Sequence, residues 1–222
     1  MNFRNAKLQI RIYGVDGSRS VFMQDDPDQA QRIIEDVQRP DFFRQDRITI
    51  AARHSVTTMV VGRIARIDLA GKGLPLWKPP SRFAGTLRDV VEMPEQEFLY
   101  HAEARDLSHV ERRRQNHQPG QLQLGFVDIQ LVGGHHIYLR FTLEALLPAE
   151  RLQRVHSLLT LPALSFRLAS GGFGIANFSN ALKFTGKPGP PEVPADAWSA
   201  DEEDGENQEP LTRRLETRSE VV

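Results

Sequence analysis

The adjacent histidines His135-His136 are the first residues of this chain that invite a chemical reading. Imidazoles ligate metals and exchange protons near neutral pH. Neighbours on a strand point to opposite faces, so this pair can converge on one ion only if the chain turns there. Gly133-Gly134 supply a turn, but no third ligand stands at a familiar spacing and there is no His-Glu-x-x-His. The pair therefore reads as a hairpin tip carrying exposed histidines, with no metal assigned.

Ser170-Gly171-Gly172-Phe173-Gly174 is glycine-rich enough to cradle a phosphate. A dinucleotide fingerprint needs a helix opening directly after the glycines, within a parallel βαβ unit. Here Phe173-Gly174-Ile175-Ala176-Asn177-Phe178 reads as a strand, so the glycines are assigned to a hairpin that needs positive φ. Gly71-Lys72-Gly73 is too short for a Walker loop. His54-Ser55, taken with Asp46 or Asp68, lacks the elbow and the order of a nucleophile triad, and turn chemistry accounts for the serine. Asp25-Asp26 before Pro27 is a helix cap. No catalytic residue and no cofactor is assigned.

Arginine gives the remaining signal. Arg105, Arg112, Arg113 and Arg114, with His101, His109 and His117 nearby, form a cationic stretch, and Arg44, Arg47, Arg53, Arg63 and Arg66 add charge upstream. Guanidinium groups suit bidentate contact with phosphates. Glu103, Asp106 and Glu111 interrupt the stretch and no nucleic-acid-binding signature accompanies it, so a solvated polar face is the competing reading.

These residues must be positioned by a chain of 222 residues with 40% apolar and 26% charged residues and no cysteine. That excludes disulfides, thiolate metal sites and a cysteine nucleophile. No run approaches a membrane span and the start lacks the apolar segment of a signal peptide, so the expected location is cytoplasmic, with no membrane partner. The charge is unevenly spread. Residues 188–222 hold ten acids, three bases and five prolines, and so carry about −7, against about +6 on residues 1–187. The expectation is a disordered acidic tail.

Within the body, Leu8, Ile10 and Ile12 alternate as a half-buried strand, Gly14–Ser18 turns, and Val21 with Met23 begins a return strand. Asp26-Pro27 starts a helix whose apolar face is Ala30, Ile33, Ile34 and Val37, and Pro40 stops it. Ile48–Ala52 and Val56–Val61 flank a turn, with Ile64, Ile67 and Leu69 beyond. The second half repeats the order. Val127, Ile129 and Leu131 match Leu8, Ile10 and Ile12, Gly133 matches Gly14, Pro162 matches Pro40, and Phe166 with Leu168 match Ile48 and Ile50.

The expected fold is α+β, a tandem pair of β-β-α-β-β units packed with approximate two-fold symmetry. Residues 1–70 form the first unit and 122–187 the second. Residues 71–121 form a connector with a Pro-rich segment and a helix from Pro94 towards Ala104, and 188–222 the tail.

Three functions are carried forward. The favoured one is a non-catalytic interaction or scaffold module for an unknown protein partner or a second copy of itself. The alternative is a nucleic-acid or polyanion binder using Arg105 and Arg112 to Arg114 and modulated by the tail. The third is an enzyme with its site between the repeats.

Overall fold

The first helix shows how closely local chemistry fixes this chain. Asp26 caps it: one carboxylate oxygen accepts from the backbone N–H groups of Asp28 and Gln29, both at 2.9 Å, and proline opens the first turn. The helix, α1 (Pro27–Val37), buries Ala30, Ile34 and Val37, the i, i+4, i+7 stripe expected of one apolar face.

The computed structural model describes residues 7–52, 54–71, 74, 87–101, 122–144, 157–187 and 197–198. It separates Met1–Glu192 from Val193–Val222. Of the latter only Ala197 and Trp198 are described, with Trp198 exposed, so the expected acidic tail lies almost wholly outside the described residues.

Eleven strands are described. They are β1 (Leu8–Gly14), β2 (Arg19–Gln24), β3 (Arg47–Ala52), β4 (Ser55–Val60), β5 (Ile64–Ala70), β6 (Leu87–Glu92), β7 (Leu122–Leu131), β8 (His136–Glu144), β9 (Ala163–Arg167), β10 (Phe173–Asn177) and β11 (Ala181–Lys187). Nine make one sheet in the order β11-β7-β8-β6-β9-β10-β5-β1-β2, and β3 with β4 forms a separate two-stranded sheet. The chain is mixed α+β, with a large, mostly antiparallel sheet and few helices.

In each half the first strand lies between two others of that half, β1 between β2 and β5, β7 between β8 and β11, and both triplets run in the same order along the sheet. The halves differ in their later hairpins. β3–β4 stands apart, whereas β9–β10 joins the large sheet, β10 pairing with β5.

One strand was not foreseen. Leu87–Glu92, inside the segment expected to be only a connector, becomes β6 and is inserted between β8 and β9. Residues 95–101 are helical, in line with the expected helix after Pro94; the expected continuation past His101 lies outside the described residues.

β6 joins β9 in the sheet's parallel seam, where a single register pair, Val91 with Arg167, is made. Two ion pairs cross this thin seam. Arg167 on β9 reaches Asp89 on β6 through Nε at 2.9 Å and a terminal nitrogen at 2.5 Å. Arg66 on β5 reaches Glu92, also on β6, at 2.5 Å.

β10 lies between two apolar cores. Phe173 and Ile175 pack with Ile10, Ile12, Ile34, Ile67 and Leu69 of the first half, while Ala176 packs with Leu164, Phe166 and Leu139 of the second. Alternation along the strand sends its large residues to one side and its small ones to the other. At the end of β10, buried Asn177 donates to the Ile64 carbonyl at 3.1 Å and accepts from the Ser179 N–H at 3.1 Å, fixing the turn before β11 on the first half.

Candidate functional site

On the face of β1 opposite α1, the register places Arg11 beside Asp68 and Tyr13 beside Arg66. Across β5, Asp68 meets Gly174 and Arg66 meets Ala176. Small residues on β10 leave room above that strand, and Arg66 lies there. A Cβ at Gly174 would come within 2.6 Å of the Phe166 ring and 2.9 Å of an Asp68 carboxylate oxygen.

Arg66 grips Asp68 with Nε at 2.6 Å and a terminal nitrogen at 3.1 Å, and turns its other terminal nitrogen to Glu92. Its guanidinium carbon lies 5.4 Å from the centre of the Tyr13 ring and 5.1 Å from that of Phe166, within cation–π range of both. The Tyr13 hydroxyl donates to Asp68 at 3.1 Å. Asp68 is 1% exposed, so its charge is sustained by these donors rather than by water. Burial works against the charge on Arg66, but the hydrogen bonds to Glu92 and Asp68 outweigh it and hold the guanidinium more firmly protonated than usual.

A cleft of about 330 Å³ opens over this network, lined by Arg11, Tyr13, Arg66, Asp68 and Glu92 together with His135, His136, Leu168 and Ser170. The second-half residues come from two hairpin ends. Gly133 and Gly134 turn the chain from β7 to β8 with φ of +90° and +79°, and Gly171 and Gly172 turn it from β9 to β10 with φ of +90° and +91°. Both turns follow the sequence reading.

His135 corrects it in part, while His136 is exposed as expected. His135 is half-buried rather than exposed, its ring edge-on to Tyr13 with centroids 5.9 Å apart, and both imidazoles border the same cleft. His136 opens β8 and pairs through Nδ1 with Asp128 at 2.9 Å, stacked 5.7 Å from Tyr138. His135 Nε2 is buried without a hydrogen-bond partner among the described residues.

Other candidates fall elsewhere. Arg105, Arg112, Arg113 and Arg114 lie outside the described residues, as do His109, His117 and Arg53. His101, on the helical stretch, stacks on Phe126. His54 lies in the β3–β4 turn and Ser55 opens β4 opposite Ala52, whereas Asp68 is engaged by Arg66 and Tyr13 in the cleft, so no triad is assembled from them. Arg66, read from sequence as one more surface charge, is instead the hub of the cleft. Among the described residues, no group of three or more metal-ligating side chains is found and no helix is long and apolar enough to cross a membrane.

The two tyrosines here carry an alkaline signature. Burial, then the Asp68 charge, raises the Tyr13 phenol, against the opposing pull of Arg66. Burial and the hydrogen bond to Glu95 push Tyr138 up to about 12 from 10.0. Both folded-state values exceed the unfolded ones, so their stabilising contribution is whole below pH 10 and drains away as pH climbs towards 12. The expected result is tyrosinate absorbance that lags behind that of the denatured chain, with stability falling through that window.

Comparison with known protein families, curated proteins and solved structures returns no match.

Proposed function

We propose that this protein is a non-catalytic interaction module that takes an extended segment of a partner protein along β2. The supporting observation is the edge itself. β2 ends the nine-stranded sheet, paired only with β1 among the described residues. Its Val21 and Met23, 46% and 55% exposed, stand beside Arg11 and Gln9 on the cleft side.

Natural edge strands are usually guarded by lysine, proline or a bulge, because free backbone groups recruit other strands. Arg-Ser-Val-Phe-Met-Gln carries one charge, at its start. An added strand would gain backbone hydrogen bonds from the edge and selectivity from alternate side chains, here Val21 and Met23. Catalysis is less well supported, although polar groups from both halves do meet in the cleft. Asp68 and Glu92 are both held by Arg66, so neither is free to act as a base.

The arrangement is also best accounted for by doubling of an ancestral unit. The like order of the two strand triplets supports this, as do matching turn contacts: Val15 donates to the Arg63 carbonyl at 3.0 Å and Val132 to that of Asn180 at 2.8 Å.

The test is affinity capture with the full chain and with Val21→Lys/Met23→Lys, each with and without nuclease. A partner held by the native chain, lost with the double variant and indifferent to nuclease is the expected result. A partner set unchanged by the lysines would overturn strand addition. Capture abolished by nuclease would transfer the assignment to the polyanion reading.

A further inference from the structure

We infer that the cleft is a binding site for a monoanionic carboxylate borne on an apolar body, with Arg11 as its anchor. This does not rest on strand addition at β2 and is tested separately.

Most polar groups of the cleft are already committed to partners. Arg66, Asp68, Glu92 and the Tyr13 hydroxyl bind one another, and His136 binds Asp128. Arg11 differs. Its Nε donates to Gln9 at 2.7 Å, but neither terminal nitrogen has a hydrogen bond or ion pair among the described residues. Half-buried at the cleft wall, it offers the planar fork that a carboxylate fits. The partnerless Nε2 of His135 and the Ser170 hydroxyl border the same space and add hydrogen-bonding capacity.

Charge favours a carboxylate over a phosphate. Arg11 and Arg66 balance Asp68 and Glu92, so a single negative charge finds one uncommitted guanidinium, while a dianion would bring its second charge against the two carboxylates. The volume lies at the lower end of small-ligand pockets, enough for one ring or a short chain. Val21, directly across the strand pair from Arg11, with Met23 beyond it, supplies apolar surface next to the anchor. A free acid and the C-terminus of a peptide share this chemistry.

The experiment is an NMR titration of the full chain with benzoate, benzamide and inorganic phosphate, then with an acetylated tripeptide bearing a free or an amidated C-terminus. Benzoate is expected to shift the Arg11 and His135 resonances, to outcompete phosphate, and to weaken roughly 10- to 100-fold in Arg11→Gln, the loss of one charge-assisted pair. Thermal unfolding of Arg11→Gln, and recovery of part of the affinity in Arg11→Lys, separate loss of the anchor from loss of fold. Peptide binding that needs the free C-terminus and also shifts the β2 amides identifies a chain end as the source; benzoate binding alone identifies a small acid. Benzamide binding as well as benzoate, phosphate binding more tightly, or an unchanged affinity in Arg11→Gln would each overturn the assignment.

Discussion

Arg66→Ala is expected to destabilise the protein by about 3–5 kcal/mol, the cost of breaking a buried ion pair by removing one partner. Asp68, 1% exposed, would keep one donor, the Tyr13 hydroxyl, and Glu92 would lose its partner across the β6–β9 seam. For a chain of this size each kcal/mol lowers the melting temperature by about 2–4 °C, so the fall should be roughly 6–20 °C. Two further variants separate the parts. Arg66→Lys keeps the charge but loses the fork that holds two carboxylates and the flat face between Tyr13 and Phe166, so it should recover only part of the loss. Arg66→Ala/Asp68→Ala should cost less than the sum of the single changes, because the second removes the charge that the first strands. Additive losses in urea denaturation would mean that Arg66 and Asp68 do not act as a unit.

The placement of Arg66 explains why the cleft sits where it does. β6 and β9 share a single register pair, and a seam so thin draws little from backbone pairing. Two arginine–carboxylate contacts cross it. Arg167–Asp89 is largely exposed, where such pairs contribute little, whereas Arg66–Glu92 is mostly shielded and shares its guanidinium with buried Asp68. The seam is therefore held chiefly from the cleft side. Ligand binding beside Arg66 and the integrity of the sheet are then physically adjacent properties.

Elements whose causes are local could be read from the sequence. Asp26-Pro27 and the Ala30, Ile34, Val37 stripe specify α1 within a few residues, and Gly133-Gly134 and Gly171-Gly172 mark turns because the backbone there needs positive φ. β6 was not legible. Leu87-Arg88-Asp89-Val90-Val91-Glu92 has no clean alternation, and its pairing with β8 and β9 depends on partners more than forty residues away. The cleft was hidden for the same reason. Its lining is spread from Arg11 to Ser170, and Arg66 and Asp68 alternate along β5 like any polar pair on a half-exposed strand. One signal was available: within Phe173-Gly174-Ile175-Ala176, small residues alternate with large ones, the pattern of a strand that must admit a bulky group on one face. His136 is exposed as the hairpin-tip reading expects; His135 is not, because this tip meets the β1–β2 hairpin, a contact between distant segments that local pattern does not reveal.

The two glycines before those histidines offer a sharp comparison. Both adopt positive φ, so alanine at either should cost about 1–2 kcal/mol for backbone strain. At Gly134 nothing lies within 4 Å of an added Cβ, and the cost should end there. At Gly133 the Cβ would fall 2.3 Å from the Val15 carbonyl oxygen and 3.3 Å from the Gly17 nitrogen, backbone atoms of the opposing β1–β2 hairpin that cannot swing aside. The hairpins must part, adding about 1–3 kcal/mol of overpacking. Gly133→Ala should therefore be the more destabilising, by about 2–5 kcal/mol in total. Its effect should also reach the cleft, since His135 follows two residues later and meets Tyr13 only while the hairpin tips touch. Urea denaturation of both variants, with the His135 and Tyr13 side-chain resonances as reporters, tests this directly. Equal losses for Gly133→Ala and Gly134→Ala would show that backbone conformation alone sets the cost and that contact between the tips does not hold His135 over the cleft.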